Sequence, residues 1–94
     1  MNLQPLDPLL HSQLRLAIMS ILMSVESADF VYIKEKTEAT AGNISVQLDK
    51  LSQAGYITIT KSFKGKRPNT TCKISQNGIR AFENYVKALK DYIG

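Results

Sequence analysis

The spacing of the apolar residues changes at Gly55, and this change constrains the fold more than any other feature of the sequence. Before Gly55, Ile44, Leu48 and Leu51 recur at intervals of four and three residues, which is the period of a helix that buries one face. After it, residues 56–61 alternate with the two-residue period of a strand. Glycine readily adopts the left-handed conformation that ends many helices, so Gly55 predicts a helix end followed directly by a strand.

A second strand is predicted beyond a basic turn. Residues 64–68, Lys-Gly-Lys-Arg-Pro, form the turn, and the Thr-rich segment from Asn69 to Ile74 returns as the partner strand. Residues 56–74 contain five basic residues and no acidic one, whereas the whole chain has a formal net charge of +4. The excess positive charge is therefore concentrated on one hairpin, which favours contact with a polyanion.

Two short helices are predicted before the hairpin. Asp29 caps a helix that ends near Thr37, and Thr40 caps the helix that ends at Gly55. The connection between them is so short that the pair predicts a helix-turn-helix. We therefore expect a mainly α fold with a small β-hairpin (α+β), in the order α-α-α-β-β-α, of the three-helical bundle type that binds DNA or RNA. Residues 1–94 are expected to form this single winged helix-turn-helix domain.

The first and last helices carry more apolar residues than a small monomer needs. Asp7-Pro8 is expected to begin a first helix that runs to about Ser24, and Ser75 caps the last helix. Both have apolar arcs too broad to be covered from one side, which predicts a homodimer. The residues expected in the dimer interface are Leu9, Leu10, Leu14, Phe82, Tyr85, Leu89 and Tyr92.

Three segments resemble the small regulators of the MarR/ArsR-like winged-helix superfamily. They are Arg15-Leu16-Ala17-Ile18-Met19 in the first helix; Gly42-Asn43-Ile44-Ser45 with Leu48, Leu51 and Ala54-Gly55-Tyr56-Ile57; and Gly65-Lys66-Arg67-Pro68 with Thr70-Thr71, Asn77-Gly78 and Ala81-Phe82. The resemblance covers about residues 8–85. It implies a dimeric transcriptional regulator that inserts one helix per subunit into adjacent major grooves. The hairpin of residues 56–74, called the wing from here on, would reach the flanking backbone or minor groove.

The candidate DNA-contacting residues lie on the third helix and on the wing. With Ile44 taken as the inward direction and about 100° per residue, the outward face carries small side chains that permit close approach, and a helix N-terminus attracts phosphate. The alternative for this face is an ordinary solvated helix surface. Arg67 is expected to contact phosphate or the minor groove, because its planar guanidinium suits both. The full set is Thr40, Ala41, Gly42, Asn43, Ser45, Val46, Asp49, Lys50, Lys64, Lys66 and Arg67.

Two residues of the third helix depart from the pattern of the resemblance. Relatives often carry a basic residue at the position of Val46 and polar or basic residues near Asp49. Val46 suits contact with a thymine methyl group, whereas Asp49 repels phosphate or accepts a hydrogen bond from cytosine.

The expected function is sequence-specific binding of double-stranded DNA by a repressor. The alternative is a winged-helix module that binds another protein.

Other classes of function are not expected from this sequence. It shows no catalytic constellation, so no enzymatic activity and no cofactor are predicted. His11 lacks partners at metal-ligand spacing, and a redox role for the single cysteine, Cys72, is left open. No apolar run is long enough to cross a membrane, and the N-terminus lacks the pattern of a signal peptide, so a cytoplasmic location is expected. A small-molecule effector is left open as a further partner.

Overall fold

The computed structural model describes residues 3–94. Its elements are α1 (Gln13–Met23), β1 (Ala28–Asp29), α2 (Phe30–Thr37), α3 (Ala41–Gln53), β2 (Ile57–Lys64), β3 (Arg67–Ile74) and α4 (Gln76–Ile93). The predicted α+β class and the order of four helices and a hairpin are confirmed. The sequence did not predict β1, which adds a third strand to the sheet.

Three helices begin at the predicted capping residues. In each case the side chain of an extended residue accepts a hydrogen bond from a backbone amide three positions later, as N-caps do. Asp29 accepts from the Tyr32 amide at 2.8 Å, Thr40 from Asn43 at 3.2 Å and Ser75 from Gly78 at 3.0 Å.

The end of α3 also has the predicted conformation. Gly55 has a φ of +78°, and its amide donates to the Ser52 carbonyl oxygen at 3.0 Å. The Tyr56 amide donates to the Leu51 carbonyl oxygen at the same distance. These two bonds form a Schellman motif, which turns the chain from α3 directly into β2.

The predicted start of the first helix is wrong. Asp7 caps only an isolated turn, in which its Oδ1 accepts from the Leu9 amide at 2.9 Å and its carbonyl oxygen accepts from the His11 amide at 2.8 Å. Ser12 is extended (φ −151°, ψ 127°), and α1 begins after it. The interruption accompanies burial of Leu10, which has no exposed surface and belongs to the core. Tertiary packing therefore overrides the local helix signal of the Asp-Pro pair.

The sheet has the strand order β1-β3-β2, and both pairings are antiparallel. β1 reaches β3 only at Cys72 and Thr71, whereas β2 pairs with the full length of β3, from Ile57 opposite Ile74 to Lys64 opposite Arg67. The hairpin is longer than predicted, since its loop has only two residues. The first of them, Gly65, has a φ of +68°, which is the conformation that a type II′ turn requires at this position.

One contiguous core joins α1, the helix-turn-helix and the sheet. Its fully buried side chains are Leu10, Ile18, Met19, Leu22, Ile33, Ile44, Leu51 and Cys72. α4 joins this core through Tyr85, and its start approaches the domain closely at Gly78, where a Cβ atom would overlap the carbonyl oxygen of Tyr56. The absence of a side chain at Gly78 lets the start of α4 lie directly against the backbone that enters β2.

Candidate nucleic-acid interface

The outward face of α3 is exposed as predicted. Ile44, Leu48 and Leu51 are buried, whereas the eight candidate residues from the N-cap to Lys50 in the last turn are all exposed. Val46 is the large apolar side chain of this face, and half of its surface is exposed. The structure therefore presents one contiguous helix surface that starts at Thr40 and ends at Lys50.

The three basic candidates of the wing lie at its tip. Lys64 and Arg67 are opposite each other, and Gly65-Lys66 connects them. All three basic side chains are exposed. Since Gly65 makes the loop as short as a hairpin allows, the three cations are held within one turn of chain.

The α3 face and the wing border a common cavity. Its volume is about 180 Å³, and its lining includes Ser45 and Asp49 from α3 and Ile59, Lys61 and Thr70 from the hairpin. Two predicted α3 residues are therefore close to the face of the hairpin that carries Lys61. Lys61 was not among the predicted contacts. Its positive charge between residues 56 and 74, where there is no acidic residue, could have identified it as a candidate.

Sequence reasoning also missed a hydrogen-bond network behind the α3 face. The Arg15 Nε atom donates to the Leu9 carbonyl oxygen at 2.6 Å, and its Nη1 atom donates to Gln47 Oε1 at 2.5 Å. The Gln47 Nε2 atom donates in turn to Asn43 Oδ1 at 2.9 Å. Asn43 is a candidate DNA contact, so this network fixes its side chain from the α1 side. The partners are 32 residues apart in sequence, and no local pattern could have paired them.

Three tyrosine hydroxyl groups hold the segment that precedes α1 against the domain. The Tyr56 hydroxyl donates to Asp7 Oδ2 at 2.5 Å, and the Tyr92 hydroxyl donates to the Gln4 carbonyl oxygen at 2.8 Å. The Tyr85 hydroxyl and His11 Nδ1 share a hydrogen bond of 2.9 Å. The bond to Asp7, burial and the negative charge of Asp7 together raise the pKa of Tyr56 from 10.0 to about 12.

The predicted dimer residues divide into two groups. Leu10 and Tyr85 lie in the core of the subunit, with at most 4 % of their surface exposed, so they have almost nothing to offer a partner. Leu9, Leu14, Phe82 and Leu89 are partly buried against that core, and Tyr92 is exposed. Of these residues, Phe82 lines an open apolar groove of about 280 Å³, together with Met23, Glu83, Val86, Lys87 and Lys90. The groove exposes part of the apolar arc of α4, and the dimer stays a prediction.

The cysteine and the metal-ligating types of side chain form no reactive or metal-binding site in the described part of the chain. Cys72 is almost fully buried, and burial raises the pKa of its thiol to about 11, so the reactive thiolate is disfavoured at neutral pH. Within residues 3–94, no group of three or more His, Cys, Asp or Glu side chains is placed to hold a metal ion. No helix in that range is both long enough and apolar enough to cross a bilayer.

Solved structures share this fold. A transcriptional regulator homologue from Pyrococcus horikoshii OT3 has a TM-score of 0.84 and 27% sequence identity, over 90% of this chain and 84% of that one. A MarR mutant from E. coli, complexed with operator DNA, has a TM-score of 0.74 and 17% identity. That match covers 87% of this chain but 58% of the MarR chain, and its low identity shows a common fold alone.

Sequence comparison identifies the family. The protein MJ0432 of Methanocaldococcus jannaschii is 37% identical over 76 residues, which are 81% of this chain and 83% of that protein. The profile of the winged helix DNA-binding domain matches residues 14–93, from α1 to the end of α4. The predicted resemblance to small winged-helix regulators is confirmed, and the chain belongs to the winged helix DNA-binding domain family.

Proposed function

We propose that this protein is a transcriptional repressor that binds a specific sequence of double-stranded DNA as a homodimer. In this proposal α3 of each subunit enters the major groove, and the wing contacts the adjacent backbone or minor groove. The observation that carries the proposal is the charge of the hairpin, whose five basic residues have no acidic neighbour between positions 56 and 74. Phosphate contacts of this kind supply most of the sequence-independent affinity of DNA-binding proteins.

The exposed N-terminal half of α3 supports the proposed major-groove contact. Ala41, Gly42 and Ser45 are small, so the helix can approach base edges closely. Asn43 is held by Gln47, and an asparagine amide in a fixed orientation suits hydrogen bonding to adenine. The transcriptional regulator homologue of P. horikoshii and the operator-bound MarR protein of E. coli share this fold, which is compatible with DNA binding.

The apolar groove beside α4 supports the proposed homodimer. Val86 and Met23 line it, and Ile93 near the end of α4 is 76% exposed. Burying this surface against a second copy would remove it from water and extend the small core that a domain of this length can form. A dimer bound across a promoter would repress transcription by occupying the site.

A second candidate is a winged-helix module that binds a protein. The observation that favours it is the exposed pair Val46 and Asp49 on the α3 surface, since an apolar and an acidic side chain are poorly suited to a phosphate backbone. This candidate predicts no salt-dependent affinity for DNA.

A salt titration separates the two candidates. Fluorescence anisotropy with a labelled random-sequence duplex, between about 50 and 200 mM salt, should give a log–log slope near −0.9 for each phosphate neutralised. Replacing Lys64 and Lys66 by alanine should flatten this slope and weaken binding to all sequences similarly. The matched control replaces Lys34 and Arg80, two exposed cations outside both the hairpin and the α3 surface, and should leave the slope nearly unchanged. Absence of binding at low salt would favour the protein-binding module.

A further inference from the structure

An apolar pair lies at the outer end of the wing. Phe63 is 75% exposed, and its partner across the hairpin is Pro68. Both residues are one position inside the Lys64–Arg67 pair that closes the hairpin. A large aromatic side chain exposed to this extent at a projecting tip contributes little to the core. It is therefore a candidate contact for a molecule outside the domain.

Strand alternation places Phe63 on a defined face of the hairpin. Ile57, Ile59, Lys61 and Phe63 share one face of β2, because side chains two residues apart point the same way. Ile59 packs against the core, and both Ile59 and Lys61 line the cavity shared with α3. Phe63 therefore lies on the α3 side of the wing, about 13 Å beyond Ile59 along the strand.

The surroundings of Phe63 are open and cationic. β1 pairs with β3 only at Cys72 and Thr71, so the hairpin is two-stranded from Lys61 and Thr70 outward. Lys61, Lys64, Lys66 and Arg67 surround the Phe63–Pro68 pair in sequence and in strand register, and all four are exposed.

We propose that the Phe63–Pro68 pair enters the minor groove of the bound duplex, unstacks one base step and bends the DNA. The proposal rests on the proposed DNA-binding function and adds to it a site for deforming the duplex. Phenylalanine and proline are among the side chains that proteins use as wedges in the minor groove. The cations on both sides would hold the phosphates that flank the wedge, and their attraction would offset the cost of unstacking.

Charge argues against the wing of a second copy as the occupant of this tip. A second wing would bring the same four cations against the first, and like charges at short distance repel. A duplex instead offers phosphates at the edges of the minor groove and apolar base faces between them. Both chemical features of the tip therefore have a complement in a single partner.

The test measures DNA bending directly. The probe is the duplex most enriched by wild-type protein in selection from a random library, labelled at its two ends for energy transfer. Wild-type protein should shorten the end-to-end distance in a manner that corresponds to a bend of about 20–90°. Phe63→Ala should abolish most of the bend and weaken binding about tenfold, as loss of one aromatic stacking contact does. Phe63→Leu, which keeps an apolar wedge, should retain most of the bend.

The control is Val31→Ala, which shortens an apolar side chain that is 59% exposed on α2, away from the wing and from the apolar groove of α4. It should leave the bend unchanged. If wild-type protein does not bend the duplex, or if Phe63→Ala bends it as wild type does, the wedge is overturned while the DNA-binding function stands. If the selection enriches no sequence and the protein binds no duplex, the proposed function itself has failed.

Discussion

The guanidinium of Arg15 donates a hydrogen bond to Gln47 Oε1, so α1 directly orients the helix that carries the candidate DNA contacts. The same guanidinium holds the Leu9 carbonyl oxygen of the preceding segment. Arg15→Met should remove both bonds while keeping the aliphatic stem. We expect a loss of about 1–3 kcal/mol in the free energy of unfolding, because two part-buried acceptors lose their donor.

Urea denaturation checks this change in stability, and anisotropy titration checks its effect on DNA affinity. The matched control is Arg80→Met, since the Arg80 guanidinium donates an exposed hydrogen bond to Asn77 of the same helix. That variant should change stability by less than about 0.5 kcal/mol. If both substitutions lowered the free energy of unfolding equally, the hydrogen bonds of Arg15 would not stabilise the fold more than an exposed one does.

Alanine at the two helical glycines should have opposite effects on stability. No atom lies within 4 Å of a Cβ built at Gly42, so Gly42→Ala should stabilise the protein by up to about 1 kcal/mol through helix propensity. A Cβ atom at Gly78 would collide with the Tyr56 carbonyl oxygen and would lie 2.9 Å from Ile74 Cγ1. Gly78→Ala should therefore lower the melting temperature. A stabilised Gly78→Ala protein would contradict the close approach of α4.

The proposed dimer interface is tested at Val86, which lines the apolar groove beside α4. Val86→Glu should convert the dimer to a monomer, because a carboxylate in an apolar interface loses its hydration. Light scattering measures the mass, which should fall from twice the chain mass to one. The matched control is Val31→Glu on α2, where valine is 59% exposed and outside this groove. A dimer that survives the first change would place the interface elsewhere.

The Tyr56–Asp7 hydrogen bond predicts a dependence of stability on alkaline pH. Since the pKa of Tyr56 is raised from 10.0 to about 12 in the fold, the unfolded chain loses this proton first as pH rises. The stabilisation is complete below pH 10.0 and is lost as pH approaches about 12. Tyr56→Phe should flatten the fall in stability across this window, and an absorbance titration should lose a tyrosine that titrates at about pH 12. An unchanged titration curve would contradict the bond.

Base discrimination is expected to depend on Val46. Its side chain is half exposed and outside the Ile44–Leu48–Leu51 stripe, so Val46→Arg should leave the core intact. A guanidinium there can read guanine, which should change the preferred sequence by about 1–3 kcal/mol per base pair. Selection from a random library, with wild type and variant in parallel, measures this change. Identical preferences would mean that α3 does not read bases.

Local signals predicted the elements whose determinants are local. Asp29, Thr40 and Ser75 each cap a helix through an amide three residues away, and the sequence alone identified all three. The start of α1 was misplaced because the burial of Leu10 depends on the whole core. β1 was missed because two residues have no detectable period, and their pairing with β3 spans more than 40 residues of sequence.

The candidate site was predicted to a similar extent. Helical periodicity is enough to assign the exposed face of α3, and composition is enough to identify the basic wing. The Arg15–Gln47 contact and the shared cavity of Asp49 and Lys61 were not predictable, since each joins elements that meet only in the folded chain. Whether these residues touch DNA remains a prediction.

Asp29 belongs to two elements at once, because it pairs with Thr71 in the sheet and caps α2 through its side chain. The helix-turn-helix and the wing are thereby joined at a single residue, and Gly55 joins them again at the end of α3. Two short connections of this kind leave no hinge between the groups that would contact neighbouring grooves. Such a domain would select duplexes by groove spacing, so sequences that are overwound or underwound should bind less well even when every contacted base is kept.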